Sequence, residues 1–155
     1  MVILEDTRQQ EGKHKNIDAY FKSKGIAVER CCLYVGDYAV ANDQSRVVDT
    51  KQDVLEIAKD IMSKDHDRFQ RECSKAQDAG IKLLVLIEEK LPEGGLINWT
   101  APRDSRGRSL TAVKGETLKR AMLTMTIKYG VKFRFCDSRD TGRIIVEYLA
   151  EGIMP

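Results

Sequence analysis

Three polar residues in the first third of the chain have types and a spacing that suit metal-assisted hydrolysis. One residue separates Asp49 from Lys51, and Asp37 lies twelve positions before Asp49. If residues 46–51 form a strand, Val47, Asp49 and Lys51 share one face, while Val48 and Thr50 point to the other. Carboxylate oxygens can hold Mg²⁺, which polarises a phosphodiester and lowers the pKa of an attacking water. An adjacent ammonium can orient that water or stabilise the developing charge.

A third carboxylate, Asp6, follows the apolar run Val2–Leu4, which predicts a short buried strand. Asp6 either joins the other two carboxylates or simply ends its strand. The acid-x-lysine spacing is weak by itself, because 32% of the residues are charged and short matches arise by chance. The three acids therefore have to be judged together with the elements that would position them.

The hydrophobic pattern predicts alternating strands and helices around these residues. We expect strands at 2–4, 26–35, 38–41, 46–51, 82–87 and 131–136, and helices at 14–24, 53–63, 65–79, about 118–125 and 142–149. A turn at 42–45 makes a hairpin that would bring Asp37 and Asp49 to one end of a sheet. Asp53 and Glu56 fit a helix capping box better than a catalytic pair. The order predicts an α/β fold with a mixed central β-sheet flanked by helices.

Length and composition restrict the organisation of the molecule. A chain of 155 residues with 42% hydrophobic residues predicts a single domain, 1–155. The net charge is only +2, so any surface for nucleic acid must be local. The four cysteines form no CxxC pair, so the sequence does not predict a zinc site. Free cysteines fit a reducing compartment best. Only three apolar residues follow Met1 before the charges begin, so we expect a cytoplasmic protein without a membrane segment.

A local basic patch lies in and after a segment, residues 92–115, that has no sustained periodicity and is predicted to be mostly loop. Two acids, Asp104 and Glu116, accompany its six basic residues, which are Arg103, Arg106, Arg108, Lys114, Lys119 and Arg120. Such a patch can neutralise DNA phosphates, although a merely solvated loop is the alternative. Trp99 beside it is a core anchor or, alternatively, a platform for an unpaired base.

Several segments together resemble a known family. Glu5-Asp6-Thr7-Arg8, Val35-Gly36-Asp37-Tyr38 and Val47-Val48-Asp49-Thr50-Lys51 occur in the order seen in XPF-type structure-specific nucleases of the restriction-endonuclease-like, PD-(D/E)xK superfamily. A helix containing Arg68-Phe69 and the strand ending at Glu88 follow, so the resemblance covers at least residues 3–90. Asp49 and Thr50 stand where the family usually has Glu and Arg, and Leu55 stands where the eukaryotic pattern has Asp.

The resemblance implies a restriction-endonuclease-like fold and a magnesium-dependent DNA endonuclease, with Mn²⁺ able to substitute. It implies that Asp37 and Asp49 bind the metal, that Asp6 assists, that Lys51 positions the nucleophile, and that Arg8 and Arg68 contact DNA. Arg68 could instead pair with Glu72 within its helix. Glu88 is either a further carboxylate of the site or a solvated strand end.

The implied substrate is branched or junction DNA in repair or recombination. The implied assembly is a homodimer or a dimer with a related subunit, to which the apolar C-terminal helix could contribute unless it only packs in the core. The short form resembles compact nucleases of phages and prophages, which would act in the host cytoplasm. One alternative is a catalytically silent nuclease fold that binds DNA or a partner, and the other is a sequence-specific restriction-type enzyme with the same chemistry.

Overall fold

The computed structural model describes residues 1–151, so the last four residues of the predicted domain 1–155 lie outside the described residues. The strands are β1 Val2–Asp6, β2 Ala27–Cys31, β3 Tyr38–Val40, β4 Asp43–Lys51, β5 Lys82–Ile87 and β6 Lys132–Phe135. The helices are α1 Lys15–Ser23, α2 Val54–Met62, α3 His66–Asp78, α4 Gly115–Tyr129 and α5 Thr141–Ala150. A short 3₁₀ helix, Leu96–Asn98, interrupts the long loop before α4.

All six strands form one mixed sheet in the order β2-β1-β3-β4-β5-β6. The strand β3 runs antiparallel to both of its neighbours, β1 and β4. The other pairs, β1 with β2, β4 with β5 and β5 with β6, are parallel. The predicted α/β fold with a mixed central sheet and flanking helices is therefore confirmed, as is the hairpin of β3 and β4.

Helices cover both faces of the sheet, which gives the molecule two hydrophobic cores. Alternation along β4 sends Val47 into the core beneath α2, α3 and α4, and Val48 into the core beneath α1 and α5. The apolar residues of α5, including Ile145 and Leu149, are buried in this second core. The described part of α5 is thus used for core packing. Within residues 1–151 no helix is long and apolar enough to cross a membrane.

The predicted strand 26–35 is wrong in its second half, because β2 ends at Cys31. Leu33 and Val35 are buried in the first core, which produced the strand-like apolar pattern. Their segment pairs with no strand of the described residues 1–151, and side chains form hydrogen bonds with its backbone instead. The Leu33 amide donates to Asp6, and the Leu33 carbonyl accepts from Arg8.

The remaining predicted helices and strands occur within a few residues of their expected bounds. The predicted turn 42–45 is wrong in its second part, because β4 already begins at Asp43. Asp53 is the N-cap of α2 and accepts a hydrogen bond from the Glu56 amide, as the capping box predicts. Most of the segment 92–115 is loop, as expected. Trp99 is buried and its indole donates to Glu89, so the core reading of this residue is correct.

Candidate active site

The candidate active site lies at the edge of the sheet where β1 and β4 end and β3 begins. Backbone hydrogen bonds tie this edge together, since the Asp6 amide donates to the Asp37 carbonyl and the Asp37 amide donates to the Val48 carbonyl. Strand alternation places the side chains of Asp49 and Lys51 on the face covered by α2 and α3. The topology thus brings Asp37, Asp49 and Lys51 to one place.

Gly36 allows the chain to turn into β3 directly before Asp37. Its φ is +69°, in the left-handed region, and the residue is buried. A Cβ atom at this position would lie 2.3 Å from Val47 Cγ1 and 3.1 Å from the Val48 carbonyl oxygen. Only glycine therefore permits both the turn and the close approach to β4 that positions Asp37.

Lys51 is held between two carboxylates. Its Nζ lies 2.9 Å from Asp49 Oδ2 and 3.0 Å from Asp60 Oδ2, and the three side chains are at most 12% exposed. The same ammonium lies 5.5 Å from the centre of the Phe69 ring, which packs from α3. Helices α2 and α3 thus fix the lysine that the strand presents.

This enclosure shifts the pKa values of both partners. Burial raises the pKa of Asp49, Lys51 opposes this, and the negative charges of Asp37 and Glu72 raise it further. Burial by itself would lower the pKa of Lys51, but Asp49 and Asp60 outweigh it and raise the pKa above its usual value. Lys51 therefore stays charged at neutral pH, and the ionised form of Asp49 depends on nearby positive charge.

Thr50 fixes the third member of the site. Its amide and its hydroxyl both donate to Asp37 Oδ2, at 2.7 and 2.8 Å. Strict alternation predicted that Thr50 points away, yet it lines the same cleft because it lies at the end of β4, beside Asp37. The residue that directly follows Asp49 thus holds the Asp37 carboxylate in place through two hydrogen bonds.

Asp6 is almost completely buried, and both of its oxygens accept hydrogen bonds. Oδ1 accepts from the Arg8 amide and Nε, and Oδ2 accepts from Arg8 Nη2 and the Leu33 amide. Burial raises the pKa of Asp6, but these hydrogen bonds outweigh it and lower the pKa below the usual value. Asp6 does not line the cleft around Asp49. This geometry suits a residue that positions Arg8 and the 32–37 segment, not a direct participant.

The cleft around Asp37, Asp49 and Lys51 has a volume of about 580 Å³ and carries charges of both signs. Its acids are Asp37, Asp49, Glu56, Asp60 and Glu72. Its basic residues are Arg8, Lys13, Lys51, Arg68, Arg71 and Lys75. Of the predicted DNA contacts, Arg8 and Arg68 therefore lie at this cleft. Glu72 accepts from the Gly36 amide, and no Arg68–Glu72 ion pair is formed within residues 1–151.

The other predicted DNA contacts lie away from the cleft. None of Arg103, Arg106, Arg108, Lys114, Lys119 and Arg120 lines it. Arg103 and Lys114 instead line a separate cavity of about 770 Å³ beside Trp99. Arg108 and Arg120 form ion pairs with Asp104 and Glu116. The two sets of basic residues are thus distinct surfaces.

Glu88 lies on the other side of the sheet from the cleft. Parallel pairing places Lys51 beside Ile87, so the next residue points to the opposite face. There Glu88 lines a smaller cavity with His14 and Gln52. The position of Glu88 therefore does not support a role as a further carboxylate of the site.

Two acids of the cleft, Asp60 and Glu72, were missed because helix packing places them. Asp60 lies between Ala58 and Ile61, on the edge of the buried face of α2. A charged residue next to an apolar helical stripe is a signal that could have been recognised. Glu72 precedes the buried Cys73 in α3 and gave no comparable signal.

The donor set fits a hard cation that keeps part of its water shell. Asp49 Oδ2 is buried and accepts no well-aligned hydrogen bond, despite the nearby Lys51 ammonium. Asp37 uses Oδ2 for Thr50, which leaves Oδ1 for a ligand. Within residues 1–151 no group of three or more Asp, Glu, His or Cys side chains is arranged to hold a metal by itself. Mg²⁺ suits such a site, because one or two carboxylates plus waters and phosphate oxygens suffice.

Comparison with known proteins agrees with the fold. The six-stranded mixed sheet and its helices define an α/β protein with the XPF nuclease fold. The ERCC4 domain matches residues 6–148, and the chain therefore belongs to the ERCC4 domain family. A sequence search of curated proteins found no match.

Two solved structures show the likeness in detail. XPF from Aeropyrum pernix superposes with a TM-score of 0.68 at 19% identity, over 99% of this chain and 65% of that one. The complex of the same protein with DNA gives a TM-score of 0.67 at 18% identity, over 98% and 64%. These identities show the fold. The chain spans slightly less than two thirds of the length of those proteins.

Proposed function

We propose that the chain is a divalent-metal-dependent DNA endonuclease of the PD-(D/E)xK type. The observation that carries the proposal is the convergence of Asp37, Asp49 and Lys51 on one cleft. Exposed basic residues form the rim of this cleft, namely Arg8, Lys13, Arg68, Arg71 and Lys75. Membership of the ERCC4 domain family supports it, and so does the complex in which the A. pernix XPF binds DNA. Branched or junction DNA is the substrate class we propose, with Mg²⁺ as the metal and Mn²⁺ as its substitute.

Each residue of the cleft has a defined task in this proposal. Asp37 and Asp49 would hold the cation, which when bound polarises the phosphodiester and lowers the pKa of a water. Lys51, fixed by Asp60, donates a hydrogen bond to the attacking water or to a phosphate oxygen as its charge grows. Thr50 orients Asp37, and Asp6 orients Arg8. Arg8 and Arg68 neutralise phosphates on the rim.

Hydrolysis is tested by the cutting of end-labelled duplex, flap, fork and four-way-junction DNA with Mg²⁺, Mn²⁺ or EDTA. We expect cutting of branched DNA with either metal and none with EDTA. Asp49→Ala and Lys51→Ala should each lower the rate by about 100-fold or more, the effect of removing a group that stabilises the transition state. Matched controls are Asp78→Ala and Lys59→Ala, which change exposed residues of α3 and α2.

The second candidate function is a nuclease fold that binds DNA or a partner without cutting. The observation behind it is the Lys51 ammonium 2.9 Å from Asp49 Oδ2, which supplies a positive charge beside Asp49 without a bound cation. Retained DNA binding with no cutting under any metal would favour this silent module. Cutting that persists in both Asp49→Ala and Lys51→Ala would instead place the chemistry elsewhere.

The remaining expectations, from the sequence and from the family resemblance, stay predictions. They are a single domain, a cytoplasmic location, a compact phage-type origin and pairing as a homodimer or with a related subunit. Light scattering over a range of concentrations tests the pairing directly.

A further inference from the structure

Tyr34 is an exposed aromatic side chain on the wall of the cleft. The chain has five Tyr, four Phe and one Trp, and Tyr34 alone among them is exposed, at 55%. It lines the cleft together with Arg8 and Arg71. Core packing does not require an aromatic ring at this position, because most of its surface faces solvent.

The backbone that carries Tyr34 is fixed on both sides. Its neighbours Leu33 and Val35 are buried in the core, and the Leu33 amide is bound by Asp6. Farther along, the Gly36 amide donates to Glu72. Lys75 Nζ also donates to the Tyr34 carbonyl at 3.3 Å. The ring is thus presented from an ordered segment, so little conformational freedom is lost when a ligand covers it.

A cation lies close to the ring as well. Lys75 Nζ is 4.4 Å from the centre of the Tyr34 ring, within the range of a cation–π contact. An aromatic ring among basic residues is the combination that binds unpaired nucleotides, since the base stacks on the ring and the cations neutralise its phosphates. A fully paired duplex cannot use the ring in this way, because its bases are already stacked.

We propose that Tyr34 is the stacking platform for an unpaired nucleobase beside the cleft, and that it makes the chain prefer branched DNA with unpaired nucleotides to fully paired duplex. The proposal deepens the proposed function and rests on it in one respect, namely that DNA occupies the cleft. Tyr34 determines specificity and takes no part in the chemical step.

The test compares equilibrium binding of two DNAs of equal length, one fully paired and one with unpaired nucleotides at a branch, in EDTA so that no hydrolysis occurs. We expect Tyr34→Ala and Tyr34→Leu to weaken binding of the branched DNA by about tenfold. Binding of the paired duplex should change by less than about twofold, since the phosphate contacts remain. Tyr34→Phe should bind like the wild type. A 2-aminopurine at the unpaired position should be quenched by the wild type and by Tyr34→Phe only.

The matched control is Leu123→Ala, which removes an exposed apolar side chain of α4 outside the cleft and should change neither affinity. Equal weakening of both DNAs by Tyr34→Ala, no weakening of either, or full affinity of Tyr34→Leu for the branched DNA would overturn the proposal. If Tyr34 makes the protein prefer branched to paired DNA but no DNA is cut with any metal, the proposed hydrolysis is refuted and the stacking role of Tyr34 stands. If DNA is cut but the preference does not depend on Tyr34, the hydrolysis stands and the stacking role is refuted.

Discussion

Asp49 combines a buried position with an ionised form that the proposed chemistry needs. Burial and the neighbouring charges of Asp37 and Glu72 raise its pKa, with only Lys51 opposing them. A carboxylate whose pKa is raised in the folded state destabilises that state once the pH exceeds its unfolded value. When no cation is bound, the ionised Asp49 carboxylate therefore lowers the free energy of unfolding at neutral pH.

Asp49→Asn should accordingly be more stable than the wild type in metal-free buffer at neutral pH. We expect a gain of about 1 kcal/mol, in the range seen when a strained functional group is replaced. Thermal unfolding followed by circular dichroism measures it, with the exposed Asp78→Asn as the control. A lower unfolding temperature for Asp49→Asn would show that its ion pair with Lys51 outweighs the cost of burial.

Asp6 contributes in the opposite direction. Because its pKa is lowered in the folded state, its contribution is complete above the usual value of 3.8 and is lost as the pH falls through the lower, folded value. Asp6→Ala should reduce the free energy of unfolding at neutral pH by about 2–4 kcal/mol, since it leaves the buried Leu33 amide unpaired. Urea unfolding at stepwise lower pH should show this difference shrinking in acid, and a constant difference would contradict the account.

At the scale of elements, the turn into β3 controls where the acids meet. Gly36→Ala should lower the free energy of unfolding by about 2–4 kcal/mol, which combines left-handed strain with the clash against β4. Gly25→Ala is the matched control, because Gly25 also has a positive φ of 63° but no atom within 4 Å of the position that a Cβ would take. It should lose only about 1–2 kcal/mol. Equal losses in urea unfolding would mean that the approach of β4 adds no constraint.

Several elements and part of the site could be predicted from the sequence because they depend on local patterns. Alternation in β4 gave the shared face of Asp49 and Lys51, and the hairpin gave the nearness of Asp37. Lys51 lies beside Ile87 in the sheet. Alternation along β5 therefore places Glu88 on the face opposite to that of Lys51. Asp60 gave a local signal, since it borders the apolar stripe of α2, whereas the place of Glu72 in the cleft depends on how α3 packs and no local pattern reveals it. The end of β2 was missed because Leu33 is buried without belonging to a strand.

At the scale of the whole molecule, the nearly balanced charge conceals two separate basic surfaces. One is the rim of the cleft and the other is the segment 103–120. A duplex has to contact both surfaces if both hold its backbone. Composition gave the small net charge. It could not show that the basic residues form two separate surfaces, because their separation depends on where the long loop folds.

The double variant Arg106→Ala, Lys119→Ala tests the second surface. Neither side chain forms an ion pair within residues 1–151, so both can bind phosphate. Two lost phosphate contacts should reduce the slope of log affinity against log salt by about 1.8, with cutting at saturating DNA unchanged. Lys22→Ala, Lys24→Ala removes the same charge from the end of α1 on the other face of the sheet and serves as the control. An unchanged slope would assign the segment to the solvated-loop alternative.

Every residue that lines the cleft lies between Arg8 and Lys75. The second half of the chain supports this cleft from behind, for example through Val85, which pairs with Asp49 in the sheet, and through Gly142, which packs against Tyr20. Substitutions there, outside the basic segment 103–120, should affect the proposed chemistry only by changing the stability of the fold. All the side chains that the proposed chemistry uses therefore come from one continuous stretch of the chain, which ends before β5 begins.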